Sequence, residues 1–143
     1  MLTVRTILQC KGSAVHHIAP QATVLDALRA MAEHNCGALV VLEGGRPIGM
    51  VSERDYARKV VLMGRVSKDT MVGEIMDEDV VHVPMDLGVD ECMALMTARR
   101  TRHLLVGEGA RMAGLISIGD VVKALLDEQK FTIEQLERYI TGA

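Results

Sequence analysis

The sequence carries an internal repeat, which constrains the fold more than any other feature of the chain. When the chain is shifted against itself by 65 residues, residues 15–60 align with residues 80–125 without a gap, and about a quarter of the 46 aligned positions are identical. Roughly three identities would be expected by chance. About a third of the remaining pairs exchange one apolar residue for another. The sequence therefore predicts two copies of one structural unit.

Each copy has the pattern of a strand, a helix, a β-hairpin and a second helix. The apolar positions of the first helix recur at helical spacing, and a glycine-bearing turn (residues 43–46 and 108–111) separates the hairpin strands. In the first copy we predict a strand at Val15–Ile18, a helix at Val24–Asn35, strands at Ala38–Leu42 and Pro47–Val51, and a helix from Ser52. The counterparts in the second copy are Val80–Val83, Val89–Arg100, His103–Val106, Met112–Ile116 and a helix from Ser117. The predicted fold class is α/β (α+β), with two β-α-β-β-α repeats.

One repeat is too small to cover both faces of its own sheet, so we expect the two repeats to stack pseudo-symmetrically into one module. The predicted organisation is a first repeat with its lead-in (1–64), a polar linker (65–71), a second repeat (72–130) and a C-terminal amphipathic helix and tail (131–143). Short helices at Val4–Leu8 and Val72–Met76 are expected to lead into their own repeats. The last helix is predicted over Phe131–Ile140, because Thr132 and Gln135 have the spacing of a capping box.

The composition argues against several classes of protein. The formal net charge of −3 disfavours nucleic-acid binding as the main role. No run of about eighteen apolar residues is present, so no membrane span is expected. The three cysteines are widely spaced and fit neither a disulfide framework nor a zinc site, so we expect a reducing, cytoplasmic location and no metal. No local motif supplies a nucleophile or a pair of general acid and base groups, so an enzyme is not expected.

The clearest motif that the copies share is Gly-apolar-apolar-Ser-x-x-Asp, at residues 49–55 and 114–120. Ser-x-x-Asp before a helix is typical of an N-terminal cap, in which the hydroxyl accepts a backbone N–H. The same residues also suit a nucleotide. A serine hydroxyl beside free N–H groups can meet a phosphate, an aspartate can accept both hydroxyls of a ribose, and a glycine lets a base approach the backbone. The two interpretations are compatible.

With these motifs, the strand Arg102–Val106 and the lead-in Ile75-Met76, the sequence resembles a tandem pair of CBS domains (a Bateman module) of the small stand-alone bacterial type, over about residues 1–130. The resemblance implies a non-catalytic sensor that holds an adenine nucleotide (AMP most readily, or ATP or NAD) in clefts between the repeats and alters the geometry of a homodimer. It names no regulated protein. The alternative is a ligand-free module that docks a protein partner. The C-terminal helix would clasp a second subunit or cover its own domain.

The resemblance implies three kinds of contact with the nucleotide. The motif serines would meet phosphate and the motif aspartates the ribose diol, at Ser52, Ser117, Asp55 and Asp120. Backbone beside the hairpin strands would read the adenine edge, at Gly37, Ala38, His103 and Leu104. The residues before the motif serines would form apolar walls, at Val51 and Ile116.

The two sites are not expected to be equivalent, because basic residues are distributed unevenly between the repeats. Arg54 precedes the first motif aspartate, whereas a glycine precedes the second. The second repeat has its own basic cluster, at Arg99, Arg100 and Arg102. We hypothesise that the site on Ser117 and Asp120 binds nucleotide better, with Arg54 reaching the phosphate from the opposite repeat. The alternative is that Arg99 and Arg100 only form a solvated helix end.

Overall fold

The two repeats fold into two three-stranded sheets of the same topology. The computed structural model describes residues 2–108 and 111–142. Helix α1 (Val4–Lys11) leads into the first repeat, which comprises β1 (His17–Ile18), α2 (Val24–His34), β2 (Ala38–Glu43), β3 (Arg46–Ser52) and α3 (Glu53–Tyr56). Helix α4 (Val72–Ile75) leads into the second, which comprises β4 (His82–Val83), α5 (Val89–Arg99), β5 (His103–Val106), β6 (Gly114–Ser117) and α6 (Ile118–Thr141). The β-α-β-β-α order is confirmed in both repeats.

The strand pairing is also the same in the two sheets. β1 runs parallel to β2, which pairs antiparallel with β3, and β4, β5 and β6 repeat this arrangement. The first strand of each repeat is shorter than predicted. In the second hairpin, the predicted turn residues Gly109 and Ala110 lie outside the described residues. Helix α3 continues into a turn of π-helix at Ala57–Val61, and the linker contains a 3-10 turn at Ser67–Asp69.

Helices α2 and α5 each end one residue earlier than predicted, and for the same reason. Asn35 (φ 51°) and Arg100 (φ 52°) adopt the left-handed conformation that closes each helix. Asparagine tolerates this conformation well, whereas arginine adopts it uncommonly. Arg100 is therefore held in a backbone geometry that its residue type does not favour.

The two lead-in helices are exchanged between the repeats. Val4, Ile7 and Leu8 of α1 belong to the apolar core of the second repeat, among side chains of β4–β6 and α5. Val72 and Ile75 of α4 belong to the core of the first repeat. Backbone pairing of Thr3 with Gly88 and of Thr23 with Met71 fixes both crossings. Each lead-in helix therefore precedes its own repeat in the chain but covers the sheet of the other repeat.

The two motif glycines are explained by this exchange. A Cβ on Gly49 would lie 2.8 Å from Met76 Sδ and 3.0 Å from the carbonyl oxygen of Asp77. A Cβ on Gly114 would lie 2.6 Å from a Leu8 methyl carbon. Both glycines therefore give the lead-in segment of the other repeat the space to pack against the strand. The structure offers this packing role in place of the suggested close approach of a base.

The C-terminal helix is not a separate element. Helix α6 is continuous over 24 residues, from the second motif to Thr141. Thr132 does not cap a helix start, since its hydroxyl donates to the carbonyl oxygen of Glu128 at 3.0 Å. The capping-box prediction at this position is wrong, because neither Pro nor Gly interrupts residues 120–140 and the helical pattern of the second repeat simply continues. Every described side chain beyond Leu125 is exposed.

Candidate functional site

A cleft of about 440 Å³ lies between the two repeats, a volume within the range of small-molecule sites. The first repeat contributes the predicted residues Gly37, Ala38, Ser52, Arg54 and Asp55. The second contributes the predicted residues Arg102 and His103. Further lining side chains that the sequence did not single out as site residues are Met50, Glu53, Arg58, Lys59, Asp77, Asp79, Val81 and Thr101, while Arg100 of the basic cluster also lines the cleft.

Both motifs form complete capping boxes, which confirms the capping interpretation. In the first, the Asp55 N–H donates to Ser52 Oγ at 3.2 Å, and the Ser52 N–H and hydroxyl donate to Asp55 Oδ2 at 2.9 and 3.0 Å. In the second, the Asp120 N–H donates to Ser117 Oγ at 3.2 Å and the Ser117 N–H donates to Asp120 Oδ2 at 2.8 Å. The caps place each aspartate at the beginning of its helix.

Lys59 fixes the first motif to the lead-in helix of the second repeat. Its ammonium group lies 3.1 Å from Asp55 Oδ1 and donates to the carbonyl oxygen of Ile75 at 2.9 Å. The Glu53 N–H donates to the carbonyl oxygen of Gly37 at 3.0 Å, which holds the 37–38 segment beside the cap. The floor of the cleft is therefore organised by hydrogen bonds before any ligand enters.

Arginines from both repeats face this cleft. Arg54 and Arg58 come from the first repeat and Arg100 and Arg102 from the second. Within the described ranges 2–108 and 111–142, none of these four guanidinium groups forms an ion pair with a carboxylate. Arg99, in contrast, lies 3.0 Å from Asp79 Oδ1. Four unpaired cations around one cleft are suited to an anion with several oxygens.

Several of the cleft's carboxylates already have partners. Asp55 accepts from Ser52 and lies beside Lys59, and Asp79 pairs with Arg99. The side chain of Asp77 accepts the backbone N–H of Asp79 at 3.0 Å. None of these contacts involves the four cleft arginines named above, so their guanidinium groups can donate to a ligand.

His103 lines the cleft, and its surroundings favour the neutral imidazole. Burial lowers the pKa of His103 because it disfavours the charged form, and the nearby Lys11 and Arg102 charges lower it further, against the opposing effect of Asp120 and Asp55. A neutral imidazole has one donor and one acceptor nitrogen. It can therefore hydrogen-bond to a heterocyclic base without adding charge.

The second motif lies outside this cleft, and a lysine covers its aspartate. Lys11 of α1 donates to Asp120 Oδ2 at 2.7 Å and to the carbonyl oxygen of Leu115 at 2.8 Å. Burial would raise the pKa of Asp120, but the hydrogen bonds from Lys11 and from the Ser117 N–H outweigh it and lower the pKa below its ordinary value.

The expected grouping of Arg54 with Ser117 and Asp120 does not occur. Arg54 and Arg102 line the cleft of the first motif instead. The repeat counterparts of Arg54, Lys59, Arg100 and Arg102 are Gly119, Ala124, Asn35 and Gly37. More cationic side chains therefore lie around Ser52 and Asp55 than around the second motif, where the hypothesis had placed the basic residues.

The two predicted apolar walls point into the core instead of the cleft, as does the side chain of Leu104, of which only the backbone was predicted to contact the ligand. Val51, Leu104 and Ile116 are at most 1% exposed and belong to the two apolar clusters. Side chains alternate along a strand, so the neighbour of Val51 in β3, Met50, lines the cleft in its place. Arg58 and Lys59 were missed as well, although their positions three and four residues after Asp55 place them near the motif on the helical turn.

The stability contributed by Asp120 is expected to depend on pH. The folded-state pKa lies below the unfolded value, so this contribution is present at pH 7 and is lost as the pH falls through the folded pKa. Asp120→Asn, which removes the charge opposite Lys11, should lower the free energy of unfolding at pH 7 by about 1 kcal/mol. Urea denaturation at pH 7 and pH 3 should show the difference between wild type and variant shrinking towards pH 3. The exposed Asp127→Asn serves as control, and an unchanged difference at pH 3 would contradict the assignment.

Comparison with known proteins identifies the same repeat. The family model of the CBS domain matches residues 12–62 and again residues 72–127. The mitochondrial CBS domain-containing protein CBSX3 of Arabidopsis thaliana is 38% identical over an alignment of 149 residues, covering 98% of this chain and 72% of that protein. A solved structure of a protein with CBS domains from Burkholderia ambifaria is 48% identical, with a TM-score of 0.85 over 89% of this chain and 96% of that chain.

A third comparison concerns the fold alone. The CBS domain pair of protein MJ0100 was solved in complex with 5′-methylthioadenosine and S-adenosyl-L-methionine. It is 18% identical, with a TM-score of 0.79 over 90% of this chain and 98% of that chain.

Two further observations bear on the remaining expectations. Among the described residues, none of the helices combines the length and apolar character that crossing a membrane requires. In the same part of the chain, no three His, Cys, Asp or Glu side chains are grouped so that they could hold a metal ion. The cytoplasmic location stays a prediction, since the Arabidopsis relative is mitochondrial.

Proposed function

Since the chain belongs to the CBS-domain family, with two CBS domains in tandem, we propose that it is a non-catalytic regulatory module that binds an adenosine phosphate in the cleft between its repeats. The observation that carries the proposal is the convergence of Arg54, Arg58, Arg100 and Arg102 on one cleft without carboxylate partners in the described chain. Bidentate guanidinium groups are the preferred protein donors to phosphate. AMP is the first ligand to test, with ATP and NAD as larger members of the same class.

The backbone geometry of Arg100 supports this assignment. It occupies a left-handed position that favours Asn or Gly, and its repeat counterpart is Asn35. Residues held in backbone conformations that their type does not favour cluster at functional sites. In the proposed complex, the Arg100 side chain binds the phosphate from the second repeat, while Arg54 binds it from the first.

The nucleoside would lie on the strand side of the cleft. His103 and the backbone at Gly37 and Ala38 would hydrogen-bond to the adenine edge, while Met50 and Val81 supply apolar contacts. Asp55 would accept the ribose hydroxyls, with Oδ1 exchanging its contact with Lys59. The adenosine compounds bound by the CBS pair of MJ0100 support the choice of this nucleoside.

We propose one high-affinity site per chain. At the second motif, Lys11 already occupies the carboxylate of Asp120, and the counterparts of three cleft cations are glycine, glycine and asparagine. A phosphate placed there would meet fewer cationic donors, so the second site is expected to bind much more weakly.

The experiment that tests the proposal is a thermal-melt panel with AMP, ADP, ATP, NAD and S-adenosylmethionine, and with GMP as control. A ligand at a hundredfold excess over its Kd should add about 2.7 kcal/mol of stability. Asp55→Ala and Asp120→Ala form a matched pair, because each removes one motif cap. We expect both to melt lower without ligand but only Asp55→Ala to lose the adenine-selective shift.

The opposite results would each exclude part of the proposal. Equal loss of the shift in both variants would mean that both motifs bind nucleotide. No shift with any nucleotide in the wild type would reject the ligand and favour the alternative function, docking of a protein partner.

A further inference from the structure

Helix α6 carries an apolar stripe that the rest of the described chain does not cover. Leu126, Ile133, Leu136 and Ile140 are 59%, 55%, 57% and 80% exposed. Together with Val122 (40% exposed) and Gln129, they repeat at alternating intervals of four and three residues. This spacing is the a/d pattern of a coiled coil, in which one helix packs its seam against another. From Val122 to Ile140 the stripe is about 27 Å long.

We propose that α6 pairs with α6 of a second copy of this chain, in antiparallel orientation. In the register centred on residue 131, Val122 packs against Ile140 of the second copy, Leu126 against Leu136, and Gln129 against Ile133. Twofold symmetry then generates the same three contacts a second time, so all six stripe positions are buried in pairs. The proposal concerns assembly and does not depend on nucleotide binding.

The charges beside the stripe choose the orientation. Lys123 and Glu137 are exposed, and neither takes part in an ion pair in the described part of the chain. The antiparallel register sets Lys123 beside Glu137 of the second copy, twice by symmetry. Lys130 would face its own symmetry copy at the exposed centre. A parallel pair would set Glu137 beside Thr132 and Lys130 beside Leu125, without any opposite charge.

The apolar residues on the other flank fit the same orientation. Leu125, which already packs against the core of the second repeat, would extend its contact to Tyr139 of the second copy. Tyr139 is 86% exposed in the single chain. The second copy therefore covers both the stripe and the largest exposed aromatic side chain of the helix.

The test is the dimerisation constant of the full chain, measured by sedimentation equilibrium. Leu136→Asp should weaken the dimer by roughly a hundredfold or more, because it places two carboxylates in the seam. Lys123→Glu or Glu137→Lys alone should weaken it roughly tenfold. The double variant Lys123→Glu/Glu137→Lys should restore it. Glu134→Lys, the same charge change on the outer face of the helix, is the matched control and should have little effect.

Each alternative result has a definite meaning. A monomeric wild type at tens of micromolar, or a dimer that Leu136→Asp leaves unchanged, would overturn the proposal. A dimer that Leu136→Asp weakens but the double charge variant does not restore would overturn the antiparallel register. Melting temperatures, measured at a concentration where all variants are monomeric, check that each variant folds. No decrease is expected, because the substituted side chains are exposed in the single chain.

Discussion

Replacing Ile75 with alanine is expected to lower the free energy of unfolding by about 2–5 kcal/mol, the range for truncating a buried isoleucine. Ile75 is 2% exposed and packs in the core of the first repeat, although it follows the linker in sequence. Because the lead-in helices are exchanged, the damage should appear in the other repeat. Hydrogen exchange should accelerate most in β1–β3, the sheet that α4 covers.

The reciprocal variant makes the prediction specific. Leu8→Ala lies near the N-terminus but is expected to loosen β4–β6, since Leu8 packs in the core of the second repeat. Leu62→Ala removes the same atoms at a side chain that is 77% exposed, and should change the free energy of unfolding by less than about 0.5 kcal/mol. If Leu8→Ala loosened only β1–β3, the exchange of the lead-in helices would be wrong.

The order of strands and helices was predictable from the sequence, whereas the partner of each lead-in helix was not. The 65-residue repeat and the turn residues determine local structure, so the hairpins and α2 and α5 were placed within a few residues. The apolar residues of α1 identify a buried face but do not name the sheet that buries it. Gly49 and Gly114 held the missing information, since each marks a close approach of a neighbouring segment.

The candidate site was predictable in its motif but not in its grouping of charges. Ser52 and Asp55, as well as Arg54 and Arg102, were identified from the sequence, and all four line one cleft. Which motif the arginines surround depends on how the repeats stack, and no local sequence pattern predicts the relative arrangement of the repeats. The prediction of the apolar walls was wrong for a simpler reason. Val51 and Ile116 alternate with the residues that face outwards, and the sequence alone did not show which set of side chains faces the cleft.

The proposed function implies a regulatory consequence, which follows from the construction of the cleft. The cleft joins donors from both repeats, so a phosphate bound there would link Arg54 and Arg58 to Arg100 and Arg102. Free energy from these contacts is available only when the repeats hold one relative arrangement, and a ligand stabilises the arrangement that it binds best. In the proposed function, this coupling is the means by which the module would report nucleotide concentration to a partner.

The double variant Arg54→Ala/Arg102→Ala is expected to weaken AMP binding by roughly a hundredfold or more. A hydrogen bond to a charged group contributes about 1.5–3 kcal/mol, or roughly ten- to a hundredfold in Kd for each arginine. Titration calorimetry at fixed ionic strength measures the loss, because phosphate contacts are screened by salt. Arg29→Ala, an exposed arginine of α2 whose nearest carboxylate is Asp26 at 3.8 Å, is the matched control and should bind AMP as the wild type does.

Arg100→Asn separates binding from folding at the same site. It gives the second repeat the residue that its counterpart position already has, and asparagine suits the left-handed backbone better than arginine. The variant should therefore melt no lower than the wild type without ligand, yet bind AMP roughly tenfold more weakly. A variant that melted higher and bound equally well would show that the Arg100 side chain has no part in the site. Loss of affinity in a protein of undiminished stability would assign the side chain to the phosphate, because no folding defect could then account for the loss.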